Sequence, residues 1–403
     1  MKVHQKLFWL TVLFLPFQIG KHFWPKYAYV WGLKIDYLSP TIYLTDLLVF
    51  STLFVWFVTS PNQFFKGLER ARFFLSILFL FLLVNSFLAA NQIVAFYKSG
   101  KVLELVFFSL YVAANRISLK KLFWPLSLSV LFTFIVGVGQ FVKQSSLNGL
   151  FWLAGERSFN SQTPGIAKAI VNHSLIMRPY ATFPHPNVLA GFLLVSAIFI
   201  IATKVENKTE KILKYFSSAS CLLMILLSFS RTAWLASLAA LFLFSFRQLR
   251  RRTEKILLVT LTIILGVLMI SLSLPLSGNE AIDQRNMLFT SAGKMFLKRP
   301  IVGVGLNNFI PLLPRSFPQI GEVYWLQPVH NLFGLILVET GILGLGIFLY
   351  FLFLSFKRSV KLKRFWLFVT LVVISFTGLM DHYWFTLQQT QLLFALVLGL
   401  SWC

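Results

Sequence analysis

Arg178, His185, Asn187, Arg231, Arg285, Arg299 and His330 all fall between apolar runs or at their ends. Guanidinium forks bind phosphate oxygens bidentately. A histidine with a pKa of about 6.5 can take a proton from a hydroxyl at neutral pH. Arginines with histidines beside them therefore suit a phosphate-bearing substrate, and a lipid diphosphate is the natural candidate, since its tail needs bilayer and its head needs cations. Arg231 is the sharpest case. It is the only charged residue from Tyr215 to Phe246. As one helix that run would extend roughly 48 Å, against a hydrocarbon core of about 30 Å. Both flanks, Lys204–Lys214 and Arg247–Lys255, are basic, so the chain is expected to cross, turn at Ser230-Arg231-Thr232 and cross back, with Arg231 at the outer face. A cation there needs a carboxylate, carbonyls or an anionic ligand as partner.

The elements that must position these residues follow from composition. Of 403 residues, 57% are hydrophobic and 12% charged, with 45 Phe and 11 Trp. This balance excludes a soluble domain and predicts an all-α polytopic membrane protein. Segments 7–20, 39–59, 73–90, 94–114, 121–142, 187–203, 213–230, 232–246, 256–274, 331–356, 365–380 and 384–402 read as spans, about twelve transmembrane helices in all. The first segment reads as a retained span rather than a cleaved leader. With the N-terminus inside, the inner loops carry most of the 37 Lys and Arg, and both termini are expected to be cytoplasmic. The net charge of +24 is spread over many short loops, which excludes a nucleic-acid face. Cys221 and Cys403 offer no pair.

We divide the chain into N-terminal transmembrane helices, 1–142, and a second region, 143–403, with long outer loops at 143–186 and 275–329. Loops of this length are more often functional than structural. Short amphipathic helices are expected within them, and Met287–Leu297 reads as one on the membrane surface. His330, at the first turn of a span, is open to two readings: a general base, or an interfacial histidine bonded to a carbonyl. Glu339, about 13 Å further along the helix, is expected to pair with a cation or a backbone donor from another span. Gly341, Gly344 and Gly346 point to close helix packing, and Gly303-Val304-Gly305 to a tight turn or close backbone approach. His185, between two prolines and ahead of Asn187, is accounted for equally by an asparagine helix cap or by substrate contact. Asp46 and Glu104 read as helix-pairing groups. No metal signature appears, so arginine would have to stabilise a leaving diphosphate.

Four motifs in order carry a resemblance. They are Arg178 with Thr182-Phe183-Pro184-His185-Pro186-Asn187-Val188-Leu189-Ala190; Ser230-Arg231-Thr232-Ala233-Trp234-Leu235; Arg285 with Pro300-Ile301-Val302-Gly303-Val304-Gly305-Leu306-Asn307-Asn308-Phe309; and His330-Asn331 with Glu339-Thr340-Gly341. Together they resemble the O-antigen ligase/polymerase superfamily of bacterial membrane glycosyltransferases, while the N-terminal part matches only in hydropathy. The resemblance implies transfer of a glycan from undecaprenyl diphosphate to a glycan, lipid or protein hydroxyl on the outer side of the plasma membrane, with no cofactor or metal. His330 looks like the family's catalytic histidine, and Arg231 and Arg178 like its diphosphate-binding arginines. Arg285, His185, Asn187 and Asn331 go with substrate binding, and Glu339 with support of the site. The competing reading is a transporter or flippase of lipid-linked sugars or small anions. It calls for a site near the midplane between repeats, whereas here the cations gather at one outer level.

Overall fold

A chain removed from water must satisfy its backbone hydrogen bonds internally, and apolar runs therefore fold as helices. The computed structural model describes residues 2–171, 173–271, 279–316 and 326–403. Its helices include Val3–Leu13, Leu44–Thr59, Pro61–Phe87, Gln92–Ala114, Leu119–Lys143, Pro186–Ala202, Lys208–Leu227, Arg231–Gln248, Arg252–Ser271, Leu332–Lys361, Phe365–Met380 and Gln388–Ser401. Each segment read as a span overlaps one of these helices, the first only over residues 7–13. Two of the described helices, Leu119–Lys143 and Leu332–Lys361, are both long and apolar enough to cross a membrane. Leu44–Thr59, Pro186–Ala202 and Phe365–Met380 are apolar but shorter. The protein is a mostly helical membrane protein.

The loops differ from expectation in one respect. Loop 143–186 holds the four-residue helix Leu150–Leu153, but also an antiparallel hairpin of Lys168–Val171 with Ser174–Met177. Ile170, Val171 and Ile176 favour extended backbone, and His173, at φ 62°, makes the turn. Two further two-stranded pairs, Gly20–His22 with Thr41–Tyr43 and Tyr29–Val30 with Leu33–Lys34, fold the segment after the first helix. Loop 275–329 contains the helices Asn279–Lys298 and Phe309–Ser316. In the first of these Leu288, Ser291, Ala292 and Met295 are buried at helical spacing, the stripe of an amphipathic helix. Residues 275–278 and 317–325 of this loop lie outside the described residues.

The chain forms two compact units. One comprises Met1–Ile19, Ile117–Gly278 and Lys363–Thr377. At its centre Pro186–Ala202 is buried without a break from Val188 to Ile200. It packs against Leu119–Lys143, Lys208–Leu227 and Arg231–Gln248. The apolar run Tyr215–Phe246 is interrupted as expected. Lys208–Leu227 ends, Phe229 turns left-handed at φ 48°, and Ser230 Oγ accepts from Ala233 N at 3.4 Å to begin Arg231–Gln248. This is an N-cap, and it leaves Arg231 as the first residue of the new helix.

The other unit comprises Gly20–Arg116, Asn279–Leu362 and Gly378–Cys403. Gln92–Ala114 packs between Gln388–Ser401 and Pro61–Phe87. Here Lys101 pairs with Asp46 and, at 3.2 Å, with Glu104, while Gln388 also donates to Asp46. Asp46 does pair helices, whereas the ion pair of Glu104 with Lys101 lies within Gln92–Ala114 itself; both acids are paired, as they must be to be tolerated in apolar surroundings.

Leu332–Lys361 is broken at Gly341, whose φ of 66° and ψ of −170° leave the helical region. The 300–305 segment lies against this break like a short strand. Val304 N donates to Val338 O and Gly305 N to Glu339 O, both at 3.0 Å, and Ile342 N donates to Pro300 O at 2.8 Å. Asn85 completes the join, donating to Val302 O and Glu339 O and accepting from Leu306 N. A Cβ on Gly303 would stand 2.4 Å from the Glu339 carbonyl carbon, and one on Gly341 would stand 2.2 Å from Ile301 O. Close approach is therefore what these glycines provide, and Gly344 likewise packs against Thr340 and Phe81, whereas Gly346 has nothing within 4 Å. Gly341→Ala adds a backbone clash to a strained φ and is expected to destabilise by roughly 2–4 kcal/mol. The check is a lowered Tm of the detergent-purified protein, against an unaltered one for Gly346→Ala.

Candidate active site

In the first unit the arginine motif is built on a turn. Gln140 Oε1 accepts from Tyr180 N at 3.0 Å and Ala181 N at 2.7 Å, and its amide donates to Ala181 O at 2.9 Å and to Glu156 at 2.7 Å. Glu156 also accepts from Leu147 N and Asn148 N, each at 2.7 Å. This buried network fixes the stretch that carries Arg178. Arg178 Nε donates to Ser228 O at 2.6 Å, and Nη2 donates to Asn187 Oδ1 at 2.7 Å. The Ser228 carbonyl is available because Lys208–Leu227 has just ended, and a cation at a helix C-terminus is favourable. Burial lowers the Arg178 pKa to about 10, Tyr180 opposing and Arg231 adding to the shift. Arg178 thus remains charged at neutral pH, within electrostatic reach of Arg231.

The cap of Pro186–Ala202 is His185 rather than Asn187. Its Nδ1 accepts from Asn187 N at 3.1 Å, and a neutral His185 therefore carries its proton on Nε2. Pro186 takes the first helical position, where its missing N–H costs nothing. Arg157 Nη2 donates to Pro184 O at 2.6 Å, and the Tyr180 ring meets His185 edge-on. His185 and Asn187 therefore have different neighbours, the first its own helix start and the second Arg178.

The second unit carries His330. Asn331 caps Leu332–Lys361, Oδ1 accepting from Gly334 N at 2.7 Å, and Nδ2 donates to Leu379 O at 2.9 Å. His330, just before the cap, is half-buried, and its Nδ1 is shielded from solvent without a hydrogen-bond partner. Burial lowers its pKa; Asp381 opposes this and Arg285 adds to it. Arg285 is exposed on Asn279–Lys298. Glu339 is buried, with Oε1 accepting from Phe309 N at 3.4 Å. Its backbone donor comes from the segment after Gly305, and the cation that acts on it is Lys98 of Gln92–Ala114, another span.

Sequence reasoning passed over His382, whose ring lies against His330 with centroids 5.3 Å apart. It also passed over Lys98, a buried lysine whose Nζ donates to Phe385 O at 2.7 Å. The one available signal was the short polar break Asp381-His382 between two apolar runs.

Arg178, His185, Asn187 and Arg231 belong to the first unit, and Arg285, His330, Asn331 and Glu339 to the second. Residues 216–349, about a third of the chain, match the family model described as O-antigen ligase. The match takes in Arg231, Arg285, His330, Asn331 and Glu339, and leaves out Arg178, His185 and Asn187. No curated protein matches the chain. The stretch that carries Arg231 and His330 thus matches an O-antigen ligase domain, a match that supports the likeness to the O-antigen ligase/polymerase superfamily.

Proposed function

We propose that the protein transfers a glycan from undecaprenyl diphosphate to an acceptor hydroxyl at the outer face of the bacterial plasma membrane. The observation that carries this reading is the handling of Arg178. Its two hydrogen-bond acceptors, Ser228 O and Asn187 Oδ1, are both neutral, so its charge is oriented without being cancelled, with Arg231 in its electrostatic neighbourhood. Two guanidinium groups so arranged suit a diphosphate, and they would stabilise the charge that builds on it as it leaves. His330 is the base. With Nδ1 sealed in the protein, proton exchange with a substrate falls to Nε2. The acceptor O–H gives its proton to His330 Nε2 as the oxygen bonds to the anomeric carbon. The bond from that carbon to the diphosphate breaks, and its electron pair leaves with undecaprenyl diphosphate.

The exposure pattern of Leu332–Lys361 supports an outer-face site. Before Gly341 the side chains of Leu332, Leu335, Ile336, Val338, Glu339 and Thr340 are buried; after it, Ile342, Leu343, Leu349, Tyr350 and Phe353 are exposed. Ile342–Lys361 extends roughly 30 Å, a hydrocarbon thickness. We read this part as the span and Leu332–Thr340 as protruding beyond it, with His330 further out.

The test is transfer in proteoliposomes from a defined undecaprenyl-diphosphate glycan to candidate acceptors, read by mass. Polymer, glycolipid or glycopeptide is expected, and separates polymerase, ligase and protein transferase. A donor left intact with every class of acceptor would sink the reading.

A further inference from the structure

His330 is walled by a second imidazole. His382 lies in the break between Phe365–Met380 and Gln388–Ser401, buried, with its ring plane 70° from that of His330. This is an edge-to-face pair. His382 is itself held from several sides. Its Nδ1 and Thr386 Oγ1 are 2.7 Å apart, its backbone N–H donates to Asp381 Oδ1 at 2.8 Å, and the Tyr37 ring meets it edge-on with centroids 5.8 Å apart. Lys98, through the Phe385 carbonyl, ties down the same turn. We propose that His382 is a positioning residue for His330, and that Asp381 supplies the counter-charge for the imidazolium formed when His330 takes the acceptor's proton. The proposal rests on the assignment of His330 as the base.

A catalytic imidazole is usually oriented by a hydrogen bond to its second nitrogen. In His330 that nitrogen has none, and the contact that fixes the ring plane is the one with His382. Asp381 is positioned by the His382 N–H, and its Oδ1 lies 3.9 Å from His382 Nε2. Among the described residues the charged groups acting on the pair are Asp381 from the same break, Arg285 from Asn279–Lys298 and Lys98 from Gln92–Ala114, and Tyr37 is a further titratable neighbour. Asp381 is the anion among them. Burial holds His382 down to about 4, with Asp381 opposing and His330, Arg285 and Lys98 adding. His382 therefore stays neutral at pH 7 and does not compete for the proton. Asp381 raises the pKa of His330, so neutralising it lowers that pKa and weakens the base.

The experiment is kcat/KM against pH for the full chain in proteoliposomes, with Asp381→Asn, His382→Ala, His382→Phe and His330→Ala. Asparagine keeps the Oδ1 acceptor and the shape of the side chain, and replaces the charged second oxygen by a neutral NH2 donor. Asp381→Asn is expected to move the acid limb to lower pH by about 0.5–1 unit and to lower the plateau roughly tenfold. His382→Ala is expected to lower kcat about 10–100-fold with KM nearly constant, and His382→Phe, which restores a ring edge, to recover most of that loss. An unmoved acid limb in Asp381→Asn, or a phenylalanine variant no better than alanine, overturns the proposal. Transfer that survives in His330→Ala removes the base assignment beneath it; loss there with an unmoved limb in Asp381→Asn removes the counter-charge alone.

Discussion

His330→Ala is expected to lower glycan transfer by about 10²–10⁴-fold, while the protein still inserts and accumulates. The side chain is half-buried and makes no hydrogen bond through Nδ1. The start of the helix that follows is secured by Asn331, which bonds Gly334 N and Leu379 O. Folding therefore has little to lose from the substitution, and catalysis has its proton acceptor to lose. The defect should fall on kcat with donor KM nearly unchanged, since the base acts in the transition state and not in donor binding. The pH dependence has a definite sign. Burial lowers the His330 pKa, so the base is deprotonated through neutral pH, and the wild-type acid limb should lie below about 6.5. A variant with wild-type turnover, or an enzyme whose activity falls only well above that range, would dismiss His330 as the base.

What the sequence made legible was whatever is local. One cation in a long apolar run was enough to place the break before Arg231, because helix length and hydrocarbon thickness are fixed quantities. Glycine pairs around 303 and 341 announced close backbone approach, though not the partner of either. The cap at Pro186 shows where local preference misleads. Asparagine is the better capping residue, but proline claims the first helical position and the cap falls back on His185. His382 escaped notice for a different reason. Its contact with His330 joins stretches far apart in the chain, and no periodicity within either stretch registers such a pairing. Lys98 escaped likewise, because its acceptor, the Phe385 carbonyl, becomes available only where a distant helix is interrupted. The hairpin 168–177 was hidden in a loop too polar around it to read as strand.

Arg231→Lys is expected to cost roughly 10²–10³-fold in kcat/KM for the lipid-linked donor. Charge is preserved by the substitution, so the loss measures geometry. A guanidinium presents a planar fork that can meet two phosphate oxygens at once, whereas an ammonium offers one compact charge on a flexible stem. Arg231 opens its helix, with Ser230 as the cap and Trp234 Nε1 donating to Ile225 O at 2.9 Å across the break. Both contacts are made by other side chains, and the Tm of the variant reports whether the break survives the change of cation. Arg178→Lys makes the informative comparison. There the fork also spans Ser228 O and Asn187 Oδ1, so lysine should lower both Tm and turnover. If the diphosphate reading holds, Arg231→Lys loses more activity than its change in Tm accounts for, and the loss is largest at limiting donor. Unchanged turnover under those conditions would leave the two arginines as structural cations and would remove the leaving-group clamp from the mechanism.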